Sequence, residues 1–212
     1  RIPAGSAVNI GKEWEIPTEH TVDATYDGER VYVNNGIFSA VIESDGSITQ
    51  LTDLRNDAML AGPGRNMNVW KLYKNVQTTY DGWELDRNWE DREIRGAVEG
   101  RIGNVRVKPE VCEILVSRTF GNSEAQQTIR IFAGSDRIFF ETDVNWQERH
   151  RMLKTHFNSM IVSENAIHEI QFGYVERPAH RSTRFASDRY EVPNHRYSAL
   201  CEGNRGFAVL ND

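Results

Sequence analysis

Strict alternation from Ile138 to Gln147 constrains this chain more than any other feature. Ile138, Phe140, Thr142, Val144 and Trp146 share one parity; Phe139, Glu141, Asp143, Asn145 and Gln147 share the other. Successive side chains of a strand point to opposite faces, so this run predicts a long β-strand with one buried and one wet face. Shorter apolar runs recur at 31–33, 37–42, 48–51, 69–73, 105–107, 111–118 and 127–133. Turn residues separate them: Asn35-Gly36, Asp45-Gly46, Gly121-Asn122-Ser123 and Gly134-Ser135-Asp136. Asn-Gly and Asp-Gly pairs between apolar runs are strong hairpin signals, and Pro109 cannot donate to a ladder and so ends or edges a strand. Two further strands are expected at 153–162 and 166–175. The pattern predicts an all-β fold of antiparallel strands.

Residues 1–25 carry Pro3, Gly5, Gly11 and Pro17 and show no period. Residues 1–30 therefore read as a lead-in from a preceding domain, and 31–212 as the β domain. The chain opens on Arg1 and stops after Val209-Leu210-Asn211-Asp212, in what looks like a strand or its exit, so a fragment truncated at its C-terminal end is expected. At 212 residues, with 39% hydrophobic and 26% charged, it is long and apolar enough to bury a substantial core. A net charge of -6 disfavours nucleic acid or an anionic membrane as the main partner and leaves a neutral ligand as the better fit. No stretch approaches the roughly 20 apolar residues that span a bilayer. Cys112 and Cys201 fit no metal-ligand spacing and read as reduced thiols, which points to the cytoplasm.

The chemistry-bearing residues cluster in two places. Trp70, Tyr73, Tyr80, Trp83 and Trp89 are interleaved with Asp81, Glu84, Asp86 and Glu90. Aromatic faces stack on the apolar faces of pyranoses while carboxylates accept hydroxyl hydrogen bonds, so this is the best sugar-facing segment; the alternative is that its aromatics plug the core. The second cluster holds Arg177, His180, Arg181, Thr183, Arg189 and His195. His180 with His195 is the one pair that could begin a metal site, but neither HExxH nor HxD occurs, and a hydrogen-bonded structural role is the better reading of each. Glu141 and Asp143 share a strand face and could serve as a glycosidase acid pair, yet they fit better as the wet side of that strand.

The segment LKTHFNSMIVSENAIHEIQFGYVERPAHRSTRFASDRYEV, followed by His195-Arg196-Tyr197, resembles the C-terminal β domain of glycoside hydrolase family 38, the zinc-dependent retaining α-mannosidases. Arg177, Pro178, His180, Thr183, Arg189, Glu191, Val192 and His195 match that pattern in register, whereas Phe185-Ala186 stands where Trp-Asp is usual. LYKNVQTTYDGWELD resembles a second family element at Leu72, Tyr73, Asp81 and Trp83, and departs from it at Asn75 and Val76. The resemblance implies a large antiparallel supersandwich of galactose-mutarotase-like fold. It places the nucleophile and the zinc ligands in an N-terminal catalytic domain, with no catalytic or metal-binding residue and no cofactor in this chain. The expected partners are that catalytic domain and an α-mannoside oligosaccharide, met through Tyr80, Asp81, Trp83, Arg177 and His180. A carbohydrate-binding module with Trp70, Trp83 and Trp89 as its platform stays open. So does a mutarotase-like epimerase pairing His180 or His195 with Glu169 or Glu191.

Overall fold

Side chains sorted with a period of two build the main core between two sheets. The computed structural model describes residues 20–77, 79–80 and 83–211. The first sheet is an antiparallel meander in chain order: β1 (Asp23–Tyr26), β2 (Val31–Asn34), β3 (Phe38–Ile42), β4 (Ile48–Asp53) and β5 (Ala58–Ala61). After β6 (Val69–Lys74), which belongs elsewhere, come the long strands β7 (Val98–Lys108), β8 (Val111–Phe120), β9 (Ser123–Phe132) and β10 (Ile138–Asn145), paired antiparallel in the order β10-β9-β8-β7. Val31, Val33, Phe38, Ala40, Ile42 and Ile48 face Cys112, Ile114, Val116, Ile129 and Ile131 across one shared core. Each fully buried aliphatic there contributes roughly 1.5–3 kcal/mol.

Buried polar groups in this sandwich are joined to one another across the turns. Asn35 is fully buried, and its amide donates to the Phe132 and Ser135 carbonyls while its oxygen accepts from the Ile37 and Phe38 N–H groups. One side chain thus locks the β2–β3 turn to the β9–β10 turn. Asn68, with φ of +55°, donates to the Gly46 carbonyl at 2.8 Å and to Gln127 Oε1 at 2.7 Å. Arg118 donates to the same Gln127 oxygen, and its guanidinium lies 4.4 Å above the Trp70 ring. Gly46 has φ of +80°, and a Cβ there would fall 2.6 Å from Arg118 Nη2, so both backbone and packing require glycine.

The second half is made of smaller sheets. β11 (Arg151–His156) pairs only with β6. β12 (Asn165–Ile170), β13 (Gly173–Pro178), β14 (Tyr197–Glu202) and β15 (Arg205–Leu210) form a sheet in the order β13-β12-β14-β15. One helical turn, α1 (Arg184–Ser187), sits between β13 and β14. Among the described residues the chain is all-β as its alternation predicts, with every strand pair antiparallel.

Several local expectations change. The run at 166–175 is not one strand: it turns back at Gln171-Phe172, with Ile170 opposite Gly173. Phe172 adopts φ of +65°, a position usually given to Gly or Asn, so nothing in the composition advertises the turn. Residues 23–26 form β1 although they carry no apolar alternation; pairing to β2 supplies the order. The strand expected at 153–162 ends at His156. In β10 only Ile138 and Phe140 reach the core, and Glu141 to Asn145 are exposed on both faces, as an edge strand allows. Among the described residues no helix is long and apolar enough to cross a membrane.

Candidate functional site

The β6–β11 pair has two unlike faces. Trp70, Leu72 and Leu153 pack beneath Phe120 at the end of the four-stranded sheet. The opposite face carries Lys71, Tyr73, Lys154 and His156, with Lys71 directly across from Lys154. Like charges opposed in this way repel. Each lysine is neutralised by a carboxylate from outside the pair: Lys71 by Glu93 at 2.9 Å, and Lys154 by Glu191 at 2.6 Å.

A short 3-10 turn, Trp89–Arg92, closes over this face. Trp89 is 6% exposed, meets the Tyr73 ring edge-on at 5.0 Å, and takes Lys154 Nζ over its own ring at 4.4 Å. Burial, helped by the Glu93 and Glu90 carboxylates, pushes the Tyr73 phenol up to about 12. Tyr73 therefore keeps its proton, and its hydroxyl is hydrogen-bonded to His156 Nε2 at 2.9 Å. Burial, then the nearby Lys71 charge, lowers His156 below its ordinary value and so favours the neutral ring.

The loops at 75–96 and 177–197, both marked by the sequence pattern, are bound to each other around this cluster. Arg181 makes two hydrogen bonds to Glu90, at 3.0 and 2.9 Å, and a third to the Tyr190 carbonyl. Arg87 donates to Ser187 Oγ at 2.8 Å and pairs with Asp188 at 3.2 Å. The Tyr190 hydroxyl donates to the Leu85 carbonyl at 2.6 Å. Thr183 caps α1, its hydroxyl accepting from the Ala186 N–H. Thr183, Tyr190 and Glu191 of the 177–197 pattern thus serve to hold the loop in place.

The nominated contact residues lie on the outside of this assembly. Tyr80 and Trp83 share one turn, closed by Trp83 N–H and Glu84 N–H donating to the Tyr80 carbonyl. Tyr80 is 60% and Trp83 86% exposed. Asp81 lies outside the described residues. Arg177, on β13, donates to the Pro193 carbonyl at 3.4 Å, and exposed His180 is hydrogen-bonded through Nδ1 to Ser182 Oγ at 2.7 Å. The bonds joining the two loops run through Leu85, Arg87 and Glu90 on one side and Arg181, Ser187, Asp188 and Tyr190 on the other. Phe185, which stands on α1 where the family pattern has Trp, is 83% exposed.

Other expectations separate here. Trp70, Trp83 and Trp89 do not form a shared platform, because Trp89 is buried against Tyr73 and Trp70 packs on Phe120 and Arg118. Of the epimerase pairs, His195 and Glu169 adjoin, the His195 N–H donating to the Glu169 carbonyl at 3.0 Å and the Arg196 N–H to the Glu169 carboxylate, while Glu191 is held by Lys154 and His180 is engaged by Ser182. Glu141 pairs with Arg130, and both it and Asp143 lie on the wet face of β10. Cys112 and Cys201 are unpaired, and burial pushes the Cys112 thiol up to about 11. Among the described residues no three His, Cys, Asp or Glu side chains are grouped to hold a metal.

Residues 33–212 match the family described as the glycosyl hydrolases family 38 C-terminal domain. Alpha-mannosidase G of Dictyostelium discoideum is 31% identical over 188 residues, covering 86% of this chain and 17% of its own length. Alpha-mannosidase 2C1 of Homo sapiens is 30% identical over 187 residues, again 86% of this chain, and 18% of its own length. The chain therefore spans about a fifth of these relatives. A crystal structure of an alpha-mannosidase from Enterococcus faecalis V583 matches with a TM-score of 0.64 at 14% identity, covering 85% of this chain and 23% of that one, and so shares the fold. With the family match running through both bound loops and across the sandwich, this chain belongs to the C-terminal domain of glycosyl hydrolase family 38.

Proposed function

We propose that the protein containing this chain hydrolyses terminal α-mannosides with retention of configuration, and that this domain is a non-catalytic wall of the substrate cleft. The observation that carries the reading is the family match over 33–212 together with relatives named as alpha-mannosidases. Retention proceeds through a glycosyl-ester on a carboxylate nucleophile, which water then cleaves. No residue described here is assigned that role: Glu141 is ion-paired with Arg130 and Asp143 sits on an open strand face. Zinc belongs, in this reading, to an N-terminal catalytic domain, as the resemblance of the 153–197 pattern to the family implies.

The part left to this domain is contact. Tyr80, Trp83, Arg177 and His180 lie on two loops fixed to one another, and they combine a ring face with donors suited to sugar hydroxyls. Unpaired thiols fit a reducing compartment, and we place the protein in the cytoplasm. The test is to follow hydrolysis of a chromogenic α-mannoside by the full-length protein with proton NMR. Release of α-mannose as the first-formed anomer supports the reading; β-mannose first, or no hydrolysis, overturns it.

A further inference from the structure

We propose that the outer face of the four-stranded sheet β10-β9-β8-β7 is a binding site for an extended neutral oligosaccharide. The inference goes beyond the α-mannosidase reading and does not depend on it. Strand register sets the polar groups side by side in two rows. Arg101, Ser117, Gln126 and Asp143 stand opposite one another across β7, β8, β9 and β10; two residues away, Glu99, Thr119, Glu124 and Asn145 do the same. Their parity is opposite to that of buried Val116 and Ala125, so both rows point away from the core. They line a hollow of about 910 Å³, within the roughly 300–1,000 Å³ of ligand clefts. A bulge between Ile102 and Asn104 adds twist to β7 beside Arg101.

The two halves of this face use their polar groups differently. Towards the other end of the sheet, Glu113 pairs with Arg106 and Arg130, and Arg130 also with Glu141, so the charges neutralise one another. In the hollow, Glu99, Arg101, Gln126 and Asp143 have no hydrogen-bond or ion-pair partner among the described residues. Strands thus hold donors and acceptors of open capacity at fixed spacing. That chemistry selects a polyol. Three carboxylates against Arg101 alone disfavour a phosphate-bearing ligand. Glu99 and Glu124 lie on either side of Thr119, with backbones about 10 Å apart at ~4.8 Å per strand, so they do not converge on one cation. Neither row carries an aromatic or large aliphatic side chain, which a protein interface concentrates at its centre. Hydroxyls and amides that both donate and accept, beside carboxylates and one guanidinium, match the double character of sugar hydroxyls. The ~4.8 Å step between strands also approximates the length of one pyranose residue, so an extended chain crossing the sheet meets one strand per sugar.

The test uses the full-length protein and three linear hexasaccharides, of α-mannose, β-mannose and β-glucose. Hydrogen exchange locates binding, its titration gives Kd, and the thermal midpoint is followed in parallel. At least one hexasaccharide is expected to protect amides of β7–β10. Arg101→Ala, Gln126→Ala and Asp143→Ala should each raise that Kd about three- to tenfold, the loss of one or two hydrogen bonds. Their midpoints should stay at the wild-type value, because none of the three side chains has a partner to lose. Glu141→Ala, in the paired half of the same face, should leave Kd unchanged. No protection by any of the three sugars at millimolar concentration, or a Kd unmoved by the three variants, would overturn the site. So would midpoints lowered by several degrees, which would mark the face as packed against another part of the protein. Protection of β7–β10 by calcium alone, lost in Asp143→Ala, would reassign the hollow to a cation and overturn the oligosaccharide site as well.

Discussion

The sandwich between the two large sheets and the bound loops at 75–96 and 177–197 are held by different physics. In the sandwich, period-two sorting places Val31, Ile42, Ile114 and Ile129 in one dry core, and Asn35, which must be buried there, meets four hydrogen-bond partners. In the loops, few apolar groups are buried. Charge takes their place: Lys154 between Trp89 and Glu191, Lys71 on Glu93, Arg181 on Glu90, Arg87 on Asp188. Exposed ion pairs are each worth about 0–1 kcal/mol, so the loops depend on having several. The lesson is that the sandwich supplies stability, while the loops present exposed rings in fixed positions.

That contrast is most easily broken with the two tryptophans. Trp89→Ala removes a buried ring packed on Tyr73 and Lys154 and should cost about 3–5 kcal/mol, read from denaturant unfolding. Trp83→Ala, six residues away, should change stability by less than about 0.5 kcal/mol. Similar values for the two would show that the 75–96 loop is packed differently. Asn35→Ala should cost about 2–3 kcal/mol, because it leaves the Phe132 and Ser135 carbonyls and the Ile37 and Phe38 N–H groups short of a partner.

A smaller effect should appear with pH. The folded value of His156 lies below the ordinary 6.5, so beneath pH 6.5 the unfolded chain binds more protons than the folded one. Stability should fall as pH drops from 6.5 towards the folded value and level off below it. His168, lowered by burial and then by Arg177, adds a slope of the same sign. His156→Gln should flatten part of the wild-type slope; an unchanged profile would show that His156 does not remain neutral in the folded cluster. The smallest change is expected for Arg181→Ala, at most about 1 kcal/mol, since both partners of the Arg181–Glu90 pair are about half exposed. A larger loss would mean that the loops act as one cooperative unit.

How far the sequence was readable follows the same division. Strands β2, β3, β8 and β9 announce themselves because burial of one face forces alternation, and the Asp45-Gly46 hairpin forms where its residues predict. The Gln171-Phe172 turn was hidden because Phe172 pays the strain of a positive φ that Gly would have signalled. Trp83 and Trp89 sit in the same aromatic and acidic context, and only the distant Tyr73 and Lys154 decide which of them is buried. The 177–197 pattern was visible as a family resemblance, but the division of its residues between fastening (Thr183, Tyr190, Glu191) and display (His180, Phe185) was not, since Glu191 and Tyr190 find their partners 37 and 105 positions earlier, at Lys154 and Leu85. Local periodicity carries no information about such contacts.

The most direct test of the central claim is α-mannosidase activity of the full-length protein on a chromogenic α-mannoside, with and without a zinc chelator, beside this domain alone. The account predicts full-length activity that the chelator abolishes and zinc restores, with none from the domain. Hydrolysis by the isolated domain, or by the full-length protein after complete removal of zinc, would contradict it.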